Sequence, residues 1–274
     1  MGILFLVATP IGNLEDISAR ALRILSQVRL VAAEDTRQTR KLLNHYKIQT
    51  PLTSYHEHNK LVKLDVVLDE LAHGDVALVS DAGTPALNDP GYELVRAALS
   101  AGYPVSPVPG PSAPIAALVA SGLPTDAFLY LGYLPRKVVD RRRLLAQIAG
   151  LPYTLIFLES PHRLLEALDD LRQILGDRQA VAARELTKLH EEIFRGTLSA
   201  VRNHYSSQAP RGEFTLVVAG QPAEMERWSE EQLRNALQER LSLGESPSRV
   251  ASDLAARSGW PRREIYRMIL EKTG

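Results

Sequence analysis

The chain has no cysteine among its 274 residues. Disulfide stapling, a thiolate nucleophile and thiolate metal ligation are excluded, and a reducing, cytoplasmic setting is the expectation. Long apolar runs are missing too. The stretch from Met1 to Val7 is short, lacks a basic flank and is ended by Pro10 and Gly12, so it reads as a strand and not a leader. No run reaches the roughly 20 residues that a membrane helix needs. Neither sign of charge prevails, with 32 Lys and Arg against 32 Asp and Glu. Such a chain is not a general polyanion binder, and nucleic-acid contact has to come from local patches. A Walker motif, a Gly-x-Ser-x-Gly elbow, the Gly-x-Gly-x-x-Gly of a dinucleotide site and internal repeats are also absent. What remains is a hydrophobic content of 45%, enough for a packed globular chain, and a length that fits two domains.

The most informative stretch is Val76 to Gly91. Four apolar residues, Val76 to Val79, run straight into Ser80-Asp81-Ala82-Gly83-Thr84-Pro85 and Asn88-Asp89-Pro90-Gly91. This predicts a buried strand followed by a loop of small residues that lets a ligand approach the backbone. In open α/β sheets such loops, at strand carboxyl ends, line the binding crevice. A second strand-to-helix loop of the same kind follows Val105 to Val108, at Pro109-Gly110-Pro111-Ser112-Ala113, with Ser112 placed to cap a helix. Two such loops predict walls of a single pocket.

The remaining pattern alternates strands and helices. Strands are predicted at residues 3–8, 28–33, near 51–55, 127–131, 153–158, 180–183, 192–195 and 214–219. The later ones predict a mixed or partly antiparallel sheet, after a linker at Gly122-Leu123-Pro124-Thr125. Domains are expected at 1–123 and 124–222. From about Ser229 the spacing of Leu233, Leu237 and Leu241 turns purely helical. A small three-helix domain is expected at 229–274, with the cadence of a helix-turn-helix and Arg257, Arg262, Arg263 and Arg267 near its turn. That tail reads either as an RNA contact or as a packing appendage. Arg136, Lys137, Arg141, Arg142 and Arg143 form the densest basic cluster, which is either a polyanion patch or a solvated helix face. His56 and His58 share a strand face, but no third ligand is in view, so no metal is expected.

Taken together, Thr9-Pro10-Ile11-Gly12-Asn13-Leu14, Ala33-Glu34-Asp35-Thr36-Arg37, the Ser80 to Gly91 loops, Pro109 to Ala113, Glu159-Ser160-Pro161-His162-Arg163 and Ala183-Arg184-Glu185-Leu186-Thr187-Lys188 stand in a distinctive order. Residues 3 to about 220 resemble the bacterial 16S ribosomal RNA (cytidine 2′-O)-methyltransferases. These belong to the tetrapyrrole methylase superfamily of class III S-adenosylmethionine enzymes. Two sequence departures favour RNA over a porphyrinoid substrate. Ala8-Thr9-Pro10-Ile11-Gly12-Asn13 stands where tetrapyrrole methylases carry a Gly-rich loop, and Ser80-Asp81-Ala82-Gly83 where they carry Gly-Asp-Pro.

The resemblance implies two α/β domains with S-adenosylmethionine, and its product S-adenosylhomocysteine, in the cleft between them. It also implies a homodimer and a cytidine of the decoding region of the small subunit as substrate. Cofactor contacts are implied at Pro10, Ser80, Asp81, Gly83, Thr84, Ser112, Ala113 and Leu158. Methyl transfer to a ribose hydroxyl needs alignment and help in removing a proton. The strand-end carboxylates Glu159, Glu185, Glu34 and Asp35 are the candidates. Glu159 is expected as base, unless it is a structural partner of Arg163 four residues on. Lys188 is expected to stabilise the alkoxide. Phosphate contacts are expected from Arg136, Lys137, Arg141, Arg142, Arg143, Arg163 and Arg184. A small-molecule corrinoid or porphyrin methylase and a non-catalytic RNA-binding assembly factor are the rival readings.

Overall fold

A computed structural model describes residues 2–207, 210–222 and 228–273, apart from the side chains of Leu61, Ala256 and residues 271–273. Met1 and Gly274, which bound the expected domains, lie outside the described residues. The chain divides into two compact units, Met1–Gln221 and Pro222–Gly274.

The first unit holds two five-stranded sheets. In the first, β1 (Leu4–Val7), β2 (Leu30–Ala33), β3 (Leu52–Ser54), β4 (Val76–Val79) and β5 (Val105–Val108) are all parallel, in the order β3-β2-β4-β1-β5. β2 and β4 are buried at every position, as the apolar runs predict for parallel strands covered on both faces. Alternation splits them between two cores: Val31, Ala33, Ala77 and Val79 on one face, Leu30, Ala32, Val76 and Leu78 on the other. The intervening helices are α1 (Ala19–Gln27), α2 (Thr36–His45), α3 (Lys60–His73), α4 (Tyr92–Ser100) and α5 (Ala113–Ser121). Ser18 caps α1 by accepting from the Ala21 amide, and Asp35 caps α2 by accepting from the Arg37 amide. Ser112 occupies the N-cap position of α5, but its side chain makes no capping bond.

In the second sheet β6 (Phe128–Tyr133), β7 (Thr154–Glu159), β8 (Gln179–Arg184), β9 (Glu192–Thr197) and β10 (Phe214–Val218) run in the order β6-β7-β10-β8-β9. Only β6 and β7 pair parallel; β10 pairs antiparallel with β7 and β8, and β9 antiparallel with β8, as the mixed pattern predicts. α6 (Val138–Ile148), α7 (Leu164–Leu175) and α8 (Leu198–Ser206) belong to the core on one face around Leu155, Phe157, Ala182 and Leu216. The other face, at Ile156, Val181 and Val217, is covered by Ala117 and Leu118 of α5. That helix follows the last strand of the first sheet yet packs on the second, so the two sheets share apolar contact.

The C-terminal unit is a separate three-helix cluster of α9 (Glu230–Ser242), α10 (Pro247–Ser258) and α11 (Arg262–Thr273). Ser229 and Gln232 form a reciprocal capping box at the start of α9. α10 opens on Pro247 and closes on Gly259 at φ +67°, the Pro-in, Gly-out asymmetry of a bounded helix. Leu233, Leu237, Val250, Leu254, Ile265 and Ile269 form its core. Among the described residues no helix is long and apolar enough to cross a membrane.

Candidate active site

The carboxyl ends of the first sheet's strands converge on one rim. The loops after β1 and β4 are tied by a two-residue bridge, with the Thr9 amide donating to the Gly83 carbonyl at 2.9 Å and the Gly83 amide to the Thr9 carbonyl at 2.9 Å. The loops after β2 and β4 interlock as well. The Asp35 amide donates to the Asp81 carboxylate at 2.9 Å, and the Asp81 amide to the Glu34 carboxylate at 3.3 Å. These loops form one wall of a cleft of about 410 Å³, and β6, β7, β8, β10 and the loop after β8 form the other. Its volume is in the range of cofactor sites.

The cleft is acidic. Glu34, Asp81, Asp89, Glu185 and Glu213 line it, against Lys188 as its one lining Lys or Arg among the described residues. Burial pushes the Asp89 carboxyl up to about 6, and the nearby Glu34 and Asp81 carboxylates push in the same direction, while the Ser80 hydroxyl offsets part of this. Burial also raises Glu34 and Asp81 above their ordinary values. By contrast Glu185 lies below its ordinary value, because Lys188 Nζ donates to it at 2.8 Å. A walled, partly desolvated site with several carboxylates favours a cationic ligand.

Two tyrosines of β6, Tyr130 and Tyr133, both reach the cleft. Residues three apart on a regular strand point to opposite faces. Here the register with β7 shifts between them, and Gly132 at φ +63° turns the chain. A Cβ at Gly132 would lie 2.2 Å from Asn88 Nδ2, a side-chain atom, so the bulge lets the Asn88 side chain of the loop after β4 seat against β6. A close approach occurs at Gly12 too, where a Cβ would lie 2.3 Å from Lys188 Cγ. Non-glycine residues at positive φ gather on this rim: Ala86, Asn88, Glu185 and Thr187. Backbone held this way costs energy and marks positions that the surrounding structure fixes.

The predicted cofactor contacts separate into two groups. Asp81, Gly83, Thr84, Ser112, Ala113 and Leu158 line the main cleft. Pro10 and Ser80 do not; with Asp81 they line a smaller adjoining depression of about 290 Å³. Asp89, Tyr130, Tyr133 and Glu213 were not among the predicted site residues. The Asn88-Asp89-Pro90-Gly91 motif carried a signal for Asp89. The two tyrosines depend on a bulge that periodicity does not reveal.

The expected base, Glu159, is buried and paired. Leu158 lines the cleft, whereas its neighbour on β7, Glu159, is not among the lining residues and is 1% exposed. Its carboxylate accepts from the Ser160 amide at 2.9 Å and lies 3.4 Å from Arg163. The structural alternative is therefore the observed one. Asp35 is the helix cap already described, held below its ordinary value by Arg37. Lys188 does line the cleft.

Several expected phosphate contacts are corrected as well. Arg141 is 2% exposed and its guanidinium is 2.6 Å from Asp170, itself buried. One face of α6 must pack on α7, and the first of three consecutive arginines falls on it. Breaking such a buried pair costs on the order of 3–5 kcal/mol, so Arg141 is a structural residue. Arg142 shares Asp170 at 2.7 Å but is half exposed. Arg143 is exposed, 3.5 Å from Asp140. Arg163 is committed to the Leu134 and Pro135 carbonyls at 2.7 and 3.1 Å. Arg184 donates to the Arg211 carbonyl and pairs with Glu192. Arg136 and Lys137 are exposed ahead of α6. No group of metal-ligating residues, His56 and His58 included, is found among the described residues.

Residues 4–202 match the family of tetrapyrrole (corrin/porphyrin) methylases. A protein of Synechocystis sp. named ribosomal RNA small subunit methyltransferase I is 48% identical over 99% of this chain and 98% of its own length. A protein of the same name from Thermotoga maritima is 48% identical over 80% of this chain and 99% of its own. Among solved structures, uroporphyrin-III C-methyltransferase from Thermus thermophilus, complexed with S-adenyl homocysteine, is similar in fold. It has a TM-score of 0.55 at 20% identity and covers 79% of this chain and 97% of that one.

Proposed function

The chain belongs to the tetrapyrrole methylase family, and from that premise we propose that it transfers a methyl group from S-adenosylmethionine to ribosomal RNA of the small subunit, at the 2′-hydroxyl of a cytidine in the decoding region of 16S RNA. The observation that carries the substrate class is the 48% identity, across nearly the whole chain, to a protein named for small-subunit ribosomal RNA methylation. The cytidine and the 2′-oxygen rest on the motif resemblance.

The cleft residues fit the cofactor. S-adenosylmethionine supplies an electrophilic methyl group on a sulfonium and also carries an ammonium and a carboxylate. Asp89, Asp81 and Glu34 suit the cationic groups, with Asp89 the most strained by its own charge. The Asp81 to Thr84 loop and the Ser112-Ala113 turn supply backbone polar groups for the remainder. Tyr130 and Tyr133 exclude water from the opposite wall. For the nucleophile, Lys188, paired with Glu185, is the cation proposed to stabilise the alkoxide, with the hydroxyl proton passing to water. Alignment between the two walls supplies much of the acceleration. A homodimer acting in the cytoplasm completes the reading; exposed Val62, Tyr92, Leu99 and Val119 on α3, α4 and α5 offer apolar surface for self-association.

The test is incubation with tritiated S-adenosylmethionine and, in parallel, small subunits, naked 16S RNA or uroporphyrinogen, followed by mapping of the label. Label on a cytidine ribose is expected. Label on uroporphyrinogen instead would make the chain a small-molecule methylase. No transfer to any substrate would make it a non-catalytic relative.

A further inference from the structure

The functional reading creates an electrostatic problem. The cleft carries five carboxylates against one lysine, so it repels the phosphates of the RNA it is proposed to modify. The basic segment at α6 gives less help than its composition promises, because Arg141 is buried and Arg142 shares its carboxylate. Affinity for a polyanion has to come from a cationic surface elsewhere.

The C-terminal unit carries one. α11 is amphipathic: Ile265 and Ile269 enter the core, whereas Arg262, Arg263, Tyr266 and Arg267 are exposed. Their spacing puts the four on one stripe of the helix. Glu264, the one acid in that stretch, is half-buried. Arg262 donates to the Ser248 hydroxyl at 3.0 Å, fixing the start of α11 to the first turn of α10. Arg249 and Arg257 add exposed cations at both ends of α10. Glu230, Glu231 and Glu239 lie on α9. Arginines interleaved with an exposed tyrosine offer both phosphate pairing and a ring on which an unpaired base stacks.

We propose that the outer face of α11, with the adjoining arginines of α10, is an accessory docking surface for folded RNA, which supplies affinity to a catalytic unit whose cleft cannot. The proposal rests on the RNA-methyltransferase reading. Almost all of the Thermotoga relative aligns within 80% of this chain, and the remainder equals about the length of this unit.

The test uses the full chain, with Arg257→Gln, Arg262→Gln and Arg263→Gln combined, Tyr266→Ala alone, and a triple Arg→Lys control. Binding to naked 16S RNA is measured by filter retention across salt concentrations, methyl transfer by tritium incorporation, and cofactor affinity by calorimetry. The triple Gln variant is expected to bind RNA ~10-fold more weakly at moderate salt, with a log–log salt slope shallower by about 2–3. KM for RNA should rise with kcat at saturation and cofactor Kd unchanged. The Lys control should keep the wild-type slope, and Tyr266→Ala should weaken binding without altering it. An unchanged slope and KM in a variant of wild-type melting behaviour would overturn the docking proposal and leave the functional reading standing. Wild-type binding to naked RNA with a loss confined to assembled subunits would overturn it in favour of a protein partner. Failure of the wild-type chain itself to methylate RNA would instead remove the reading on which the proposal rests.

Discussion

Replacing Asp89 by Asn should strengthen the fold and weaken cofactor binding at once. In the cofactor-free protein the Asp89 carboxyl sits at about 6, against an ordinary 3.8. At ~1.4 kcal/mol per pKa unit that is on the order of 3 kcal/mol against ionisation. Discounting for the part of the side chain that water reaches leaves about 1–2 kcal/mol. The sign follows from linkage. The folded carboxyl holds its proton to higher pH than the unfolded one, so this group costs nothing near pH 3. Stability then falls as pH rises from about 4 to 6, and the cost is constant above that. The amide in Asp89→Asn would carry no such cost and keep an oxygen for the Ser80 hydroxyl. At pH 8 the variant should melt about 2–6 °C higher than wild type without cofactor, and near pH 4 the two should coincide.

A cationic ligand reverses the balance, because it relieves the strained charge. Loss of the carboxylate should therefore raise the Kd for S-adenosylmethionine about tenfold at pH 8. The wild-type Kd should rise as pH falls through about 6, while that of the variant stays flat. Titration calorimetry at several pH values, with melting curves on the same samples, measures both. Comparing S-adenosylhomocysteine, which lacks the sulfonium charge, tells which cation the carboxylate meets. Equal losses for the two ligands point to the ammonium, and a loss confined to S-adenosylmethionine points to the sulfonium. A variant that melts lower than wild type and binds cofactor equally well would refute the argument, since Asp89 would then be a structural carboxylate.

Three further outcomes are expected. Gly132→Ala should lower the melting temperature and weaken cofactor binding, because φ +63° disfavours a side chain and the new Cβ strikes the Asn88 side chain. Gly122→Ala, at φ +79° in open space, should cost only the conformational part of about 1–2 kcal/mol, and equal effects of the two on cofactor Kd would discredit the bulge. Glu159→Gln should leave turnover within about twofold, since Gln still accepts from the Ser160 amide; a fall of ~10²-fold or more would restore Glu159 as general base. Lys188→Ala should cut kcat by ~10²-fold with cofactor Kd unchanged, and single-turnover rates equal to wild type would remove Lys188 from the chemistry.

The legible parts of the sequence are those where one physical signal dominates. The apolar runs of β2 and β4 report parallel strands buried on both faces, and the small residues after Val79 and Val108 report loops that form a ligand wall. The helical tail follows from period alone. The missed features depend on long-range partners. The position of α5 on the second sheet is not written in its own sequence, which reads only as a helix after a strand. The burial of Glu159 beside Arg163 likewise depends on packing that its motif does not carry. The arginine run at 141–143 looked uniform because composition does not tell which of three consecutive helical residues meets the carboxylate of Asp170. Tyr130 and Tyr133 needed the bulge at Gly132 to converge.

The charge of the cleft decides where the proposed enzyme's catalytic power has to originate. Glu34, Asp81, Asp89 and Glu213 stabilise positive charge within it, yet methyl transfer consumes positive charge as it proceeds. These carboxylates therefore hold the cationic reactant more firmly than the transition state, and by themselves they improve binding at some expense to the chemical step. The same field opposes ionisation of a ribose hydroxyl. Two features work the other way. Lys188, locked to Glu185 at 2.8 Å, sets one fixed cation inside the negative field, and the rim strained at Ala86, Asn88, Glu185 and Thr187 holds the two walls in register, so that alignment supplies what electrostatics cannot. The carboxylates also favour release, because loss of the sulfonium charge on reaction removes part of what they hold. A cleft built this way would suit an enzyme whose RNA is gripped outside it and whose spent cofactor must leave, the gripping being the role proposed for the arginine face of α11.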